Sequence, residues 1–255
     1  MKKQIVSVVL TAVAIGGLSG CTQVPRNAGE NESDPYEHFN RNVYAFNTEF
    51  DNLLLKPVTR AYRAVVPEPG REGVSNVFDN AGEVSNGVNN LLQGKVNDGI
   101  ETAFRFMVNT TFGLGGLFDV AGWIGMQKHP EDFGQTLGTW GVDQGAYLML
   151  PFLGPSTTRD VWRFPVDSAL DPMAYVLADK PWYAKTGWTA ARGVDLRSRL
   201  MDTPFEQMRA NVVDEYVALR NMYLQARLQA VYDGNVSEET DLDQLTPLEF
   251  DDDQN

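Results

Sequence analysis

Cysteine is almost absent from this 255-residue chain: Cys21 is the only one. One thiol cannot close a disulfide within a chain, and once Cys21 has another use no thiol remains for catalysis. Histidine is nearly as scarce. With only His38 and His129, a histidine triad or a His-based metal site has little to draw on. Positive charge is outnumbered, 21 Lys and Arg against 34 Asp and Glu, which disfavours nucleic acid and electrostatic docking to anionic lipid. Also missing are a G-x-S-x-G elbow, a P-loop, a G-x-G-x-x-G turn and a C-x-x-C pair. His129-Pro130-Glu131-Asp132 reads as a turn and a helix N-terminus rather than a metal cluster. No pair of carboxylates stands in an apolar setting that would separate their pKa values. These absences point to a protein that handles something without breaking bonds: no catalytic residues, no cofactor and no metal are expected.

What is present begins at the N-terminus. Lys2 and Lys3 precede the uncharged apolar run Ile5 to Leu18, the pattern of a secretory signal. It ends in Leu18-Ser19-Gly20-Cys21, a lipobox in which small residues precede a cysteine that takes a diacylglycerol. Cleavage before Cys21 leaves 19 basic against 34 acidic residues. Each buried acyl CH₂ contributes about 0.8 kcal/mol, so a three-chain anchor is effectively permanent. Thr22 follows the cysteine, not an inner-membrane-retaining aspartate, so the expected location is the periplasmic face of the outer membrane. Any membrane contact besides the anchor has to be hydrophobic.

The longest apolar stretch runs from Phe104 to Met126, with a single charge, Asp119, after Arg105. Its length nearly admits a membrane span, but Asn109, Thr110, Thr111 and Asp119 interrupt it, and Gly113, Gly115 and Gly116 break it in the middle. Two apolar arms meeting at a glycine bend make a re-entrant or interfacial element, or a buried core. Phe104, Phe106, Met107, Phe112, Leu117 and Phe118 are the candidate apolar contacts, with the three glycines as hinge.

Elsewhere the chain reads as helix. Val24 to Asp34 is a polar, disordered tether. Phe39, Val43, Phe46, Phe50 and Leu53 form one face of a first helix, with Asn40, Arg41, Asn47 and Asp51 off that stripe. A helix from about Glu72 to Gln93 carries an apolar stripe (Val74, Val77, Ala81, Val84, Val88, Leu91) backed by asparagine and glycine. Asn86, Asn89, Asn90 and, further on, Asn109 are candidates to line a wet cavity; an ordinary solvated face is the alternative. Gln135 to Gly141 and Ala146 to Leu150 predict a short β-hairpin across Val142–Gly145, and Ser156 to Thr158 can cap a following helix. Tyr175, Trp182, Tyr183 and Trp188 beside Lys180 and Lys185 suit either a membrane–water interface or a packing corner. A capping box at Thr203-Pro204-Phe205-Glu206 predicts a long helix to about Tyr232, and Ser237 to Asn255 is an acidic tail, disordered in isolation. The expected architecture is mainly α: a compact ring-like bundle over residues 35–232 with one short hairpin, set in one membrane leaflet.

Several motifs then fall in order. Asp34-Pro35-Tyr36-Glu37-His38-Phe39-Asn40-Arg41 with Phe46-Asn47, Leu91-Leu92-Gln93-Gly94, and Arg105-Phe106 with Asn109-Thr110 resemble the MlaA (VacJ) outer-membrane lipoproteins. So do Gly113-Leu114-Gly115-Gly116 with Asp119-Val120-Ala121-Gly122, Phe133-Gly134 with Thr136-Leu137-Gly138, and Leu150-Pro151-Phe152 with Gly154-Pro155-Ser156 and Arg159-Asp160. The resemblance covers residues 34–232. It implies a helical ring in the inner leaflet of the outer membrane whose amphipathic channel removes phospholipids that have strayed into the outer leaflet. It further implies delivery to a periplasmic carrier of the MlaC type and attachment to trimeric porins of the OmpC/OmpF type. The other classes are a tethered scaffold or virulence-associated surface lipoprotein with a filled core, and a lipid-modifying enzyme.

Overall fold

In the computed structural model the described residues are 24–25, 27–203, 206 and 212–236. The signal sequence, Cys21 and the acidic tail from residue 237 lie outside them. The described chain is mainly helical. In order it forms α1 (Glu37–Phe50), a π-helical turn (Asp51–Leu55), α2 (Lys56–Val65), α3 (Glu68–Leu92), α4 (Val96–Thr111) and α5 (Val120–Trp123). Then come α6 (Phe133–Thr139), β1 (Tyr147–Leu150), β2 (Gly154–Thr157) and a 3-10 turn (Asp160–Trp162). The remainder is α7 (Arg163–Leu170), α8 (Pro172–Val176), α9 (Trp182–Leu200) and α10 (Glu215–Val231).

The chain divides into two compact units. Unit 1 combines residues up to Phe50 with Gln144–Thr158 and the chain from Asp214; unit 2 is Asp51–Asp143 with Arg159–Val213.

Unit 1 is built on the hairpin, in which Tyr147 pairs with Thr157 and Leu150 with Gly154. β2 occupies one edge of β1, and α1 serves the other edge with side chains. Asn40 donates to Tyr147 O (3.0 Å) and accepts from Met149 N (2.8 Å); seven residues on, Asn47 donates to Leu150 O and accepts from Phe152 N. An asparagine amide carries the donor and acceptor of a peptide group, so these two stand in for a missing strand. This departs from the predicted polarity of α1, in which only Val43 of the apolar stripe is fully buried. Asn40 and Arg41 are buried, while Phe39 is 58% and the following Leu53 77% exposed. The core proper is Val43, Tyr147, Met149, Tyr216 and Leu224. Tyr216 meets Tyr44 and Tyr147 edge-on and lies under the Arg41 guanidinium.

Pro25 and residues 27–34, expected as part of a disordered tether, form hydrogen-bonded turns, and Tyr147 N donates to Ser33 O. Asp34 is fully buried, accepting from Asn40, Tyr216 OH and Arg220.

The hairpin itself is displaced from its predicted place. Gln135–Thr139 belongs to α6, because the Asp132 carboxylate accepts from Gln135 N and caps a helix there. β1 therefore turns through Phe152 (φ +63°) into Gly154–Thr157, and Ser156 and Thr157 are strand residues rather than caps. The long C-terminal helix is also shorter than expected. Asp214 is extended and caps α10 by accepting from Tyr216 N and Val217 N, so one continuous helix does not run through it. Most of the 204–211 segment lies outside the described residues.

In unit 2, α3 and α4 pack as an antiparallel pair. A Cβ on Gly99 would stand 2.8 Å from the Leu91 side chain and 3.2 Å from Gly87 O, so glycine sets the approach of the two helices. α4 ends in a turn with positive φ at Leu114, Gly115 and Gly116. The second apolar arm is not a helix of any length, since α5 has four residues. Among the described residues no helix is long and apolar enough to cross a membrane.

Candidate functional site

The side of α3 that faces the protein is the asparagine side. Asn80, Glu83, Ser85, Asn89 and Asn90 are buried, whereas Leu91 is 51% exposed. α4 repeats this, burying Thr102, Arg105 and Asn109 and exposing Ile100, Phe104 and Met107.

Arg105, 1% exposed, is the hub. Its guanidinium donates to Glu83 Oε1 (3.0 Å), Asp119 Oδ1 (3.0 Å) and Met126 O (2.6 Å). Asn109 donates to Asp119 and accepts from Ala121 N, and Asp119 accepts from Gly122 N to cap α5. Burial pushes the Asp119 carboxyl up, but Asn109, Gly122 N and the Arg105 charge outweigh it and hold its pKa below the ordinary value. The same holds at Asp79, where Lys128 and Arg199 overcome burial. Around this hub lies a recess of about 170 Å³, open to solvent and lined by polar residues alone, Asn80, Asp79 and Lys128 among them.

A second network joins α3, α6 and α7. Asn89 donates to Asp167 Oδ1 (3.0 Å) and accepts from Thr136 Oγ1 (2.9 Å). Asp167 also accepts from Ser85 Oγ and Phe133 N; burial raises its pKa despite those bonds, and neighbouring Asp132 adds to the rise. Glu131 holds Lys95, Gln93 and Gln135, and Asn90 donates to Asn86 O and His129 O. His129-Pro130-Glu131-Asp132 is thus a turn leading into α6, with His129 Nε2 3.1 Å from Glu101.

The apolar residues are outside. Unit 2 buries three, Phe78, Ala81 and Ala121, and leaves 26 large ones exposed among the described residues; its buried polar residues number 17. Phe112, Leu114 and Trp123 are each more than 70% exposed, with Phe104, Met107, Leu117, Phe118 and Ile124 around them in the chain. Tyr175, Trp182 and Tyr183 are exposed as well, whereas Trp188 packs on Phe78. Soluble monomers rarely expose so many large apolar side chains without a use for them.

The residues expected from sequence therefore fall in three places. Phe104, Met107, Phe112, Leu117 and Phe118 are exposed and Phe106 half-buried. Of the three glycines, Gly115 is open. Gly116 is buried against Asn80, and a Cβ on Gly113 would strike Asn109 O and Phe118 O. Asn89, Asn90 and Asn109 sit inside the polar networks, with Asn86 half-buried beside them. Sequence reasoning missed Arg105, Glu83 and Asp119 as one cluster. The available signal was two opposite charges at the edge and middle of an otherwise uncharged stretch.

Buried charges and amides under an apolar, aromatic-rich exterior define a lipid-handling class of helical protein. The family model described as MlaA lipoprotein matches residues 32–230, and the chain belongs to that family. The intermembrane phospholipid transport system lipoprotein MlaA of Shigella flexneri is 37% identical over 222 residues, covering 85% of this chain and 86% of that protein. Its Haemophilus influenzae counterpart is 29% identical over 240 residues, covering 92% and 93%. A solved structure described as "Structural basis for maintenance of bacterial outer membrane lipid asymmetry" superposes with a TM-score of 0.68 at 35% identity, covering 78% of this chain and 99% of that one.

Proposed function

We propose that this chain is an outer-membrane lipoprotein of phospholipid transport that keeps the outer membrane's two leaflets different in composition. Anchored through Cys21, it sits in the periplasmic leaflet, takes phospholipids that have strayed into the outer leaflet along an amphipathic path, and yields them to a soluble carrier of the MlaC type. A trimeric porin of the OmpC/OmpF type holds it in place. The observation that carries this reading is the inverted polarity of unit 2. Moving 1,000 Å² of apolar surface from water into hydrocarbon is worth about 25 kcal/mol, so a surface bearing 26 large apolar side chains favours lipid over water. Inside, the buried Arg105 guanidinium is paired with Glu83, Asp119 and the Met126 carbonyl.

The chemistry required is desolvation rather than bond cleavage. A phospholipid crosses a bilayer slowly because its charged headgroup has to leave water. A protein that offers fixed polar groups to the headgroup and an apolar flank to the tails lowers that barrier, and the unfavourable position of the stray lipid supplies the direction.

The test is complementation. In a Gram-negative strain lacking its own family member, the chain should return outer-leaflet phospholipid, read with an impermeant amine-reactive probe, to the wild-type level. The Cys21→Ala variant should not. Full rescue by Cys21→Ala would remove the anchor from the account, and no rescue by a correctly localised wild-type chain would remove the transport role.

A further inference from the structure

We propose that unit 1 makes its own contact with the bilayer: Tyr36 and Phe39, at the start of α1, rest in the headgroup layer of the leaflet that holds the Cys21 anchor. This rests on the anchoring part of the proposed function and adds an apolar point of attachment outside unit 2.

The first observation is the length of the leash. Cys21 lies sixteen residues before Glu37, a separation that full extension would stretch to about 55 Å. Hydrogen-bonded turns remove most of that reach. Ala28 N donates to Pro25 O and Glu30 N to Asn27 O, and such a turn brings its ends within about 7 Å. Gly29 N donates to Glu37 Oε2 at 3.3 Å, and a Cβ on Gly29 would stand 3.4 Å from Pro35 O. Gly29 therefore lies against the residues on both sides of Tyr36. The buried Asp34, held by Asn40 and Arg220, and Ser33 O, which accepts from Tyr147 N, fasten these turns to unit 1. The acylated Cys21 can thus stand no more than about 25 Å from Gly29.

The second observation is what this leash keeps beside the membrane. Tyr36 is 52% and Phe39 58% exposed. Asn40 N donates to Tyr36 O, so the two rings are three apart in helical register and share one side. A tyrosine, apolar in its ring and polar at its tip, suits the level where hydrocarbon gives way to water. The contact is apolar rather than electrostatic. Unit 1 has no lysine beyond the signal sequence, and its described arginines, Arg41, Arg220 and Arg227, are all buried. Glu30 and Glu32 are exposed, so anionic lipid offers no gain.

With Cys21 acylated, Asn42→Cys, at an exposed position one turn beyond Phe39, takes a single fluorophore and leaves both rings in place. In full-length lipidated protein reconstituted in phosphatidylethanolamine–phosphatidylcholine vesicles, headgroup nitroxides should quench it at least threefold more than a fluorophore at position 225. Tyr36→Ser with Phe39→Ser should remove that excess. A Gly-Ser insertion of about twelve residues after Gln23 lengthens the leash and should at least halve it. Salt near 1 M, which shortens screening to about 3 Å, should leave it unchanged, as should added phosphatidylglycerol. Position 112 is the control. Strong acyl-chain quenching there with no excess at position 42 overturns this contact and leaves the transport reading standing; loss at both overturns that reading. Protection of position 42 from a water-soluble quencher without headgroup quenching would mean that protein covers the rings, overturning the lipid assignment. A rise with phosphatidylglycerol or a fall in salt overturns the apolar contact, and an unchanged signal after the insertion overturns the leash.

Discussion

The two units solve opposite packing problems with the same residue types. Unit 1 buries six apolar residues, Val43, Tyr147, Met149, Tyr216, Leu224 and Leu228, and exposes six large ones; unit 2 buries three and exposes 26. In unit 1, polar side chains supplement an apolar core. Asn40 and Asn47 complete a sheet edge, and Asp34 ties the start of the chain to α10. In unit 2 the polar side chains are the core, which makes every hydrogen bond there more consequential. A core held by burial tolerates loss of a contact in proportion to area, whereas a core of paired charges fails abruptly when one partner goes.

That contrast predicts a ranking of damage. Arg105→Ala leaves the buried Glu83 and the half-buried Asp119 without their cation and should cost about 3–5 kcal/mol, read as a large drop in melting temperature in detergent. Arg41→Ala, whose partners are the buried Glu37 and the more exposed Asp214, should cost less; equal losses would erase the distinction between the units. Next, Asn40→Ala removes three hydrogen bonds at β1 and Asp34 and should cost about 3 kcal/mol at roughly 1 each, against about half that for Asn47→Ala. Equal effects would mean that the sheet-edge role is overstated.

Glycine distinguishes packing from hinge. Gly116→Ala meets both a left-handed φ and the Asn80 side chain and should cost about 2–3 kcal/mol, while Gly115→Ala, with open space around it, should lose only the left-handed penalty of about 1. A transport defect in Gly115→Ala at near-normal stability would support the hinge. The smallest effect belongs to Asp167. Its raised folded pKa means that stability is fully present below the unfolded value near 4 and is lost as pH rises through the folded value. Asp167→Asn should therefore match or slightly exceed wild-type stability at pH 7, by no more than about 1.5 kcal/mol, and the advantage should shrink toward pH 4. An advantage that grows on acidification would contradict the assignment.

Much of the helical order was legible. The 3.6-residue stripe in residues 72–93 announced α3, observed at Glu68–Leu92, and the glycine-broken Phe104–Met126 stretch marked where α4 stops. Polarity was not legible, because periodicity shows that a helix has two faces without saying which one meets protein. In α1 and α3 the asparagine faces turn inward because their amides find backbone and carboxylate partners remote in sequence, Tyr147 and Asp167 among them. The hairpin was misplaced for a related reason. Gly154-Pro155-Ser156-Thr157 has little β character of its own and becomes a strand by pairing with β1, while Asp132 draws the alternating Gln135–Thr139 segment into a helix.

The central claim is that the exposed apolar face of unit 2 meets lipid, and fluorescence quenching tests it directly. A single fluorophore at position 112, 114 or 123, in full-length protein reconstituted with its lipid anchor, is compared with one at the exposed position 225 on α10. Nitroxide-labelled acyl chains should quench the three unit 2 positions strongly and position 225 weakly. A water-soluble quencher should give the reverse order. Equal quenching at all four positions by both agents would contradict the account.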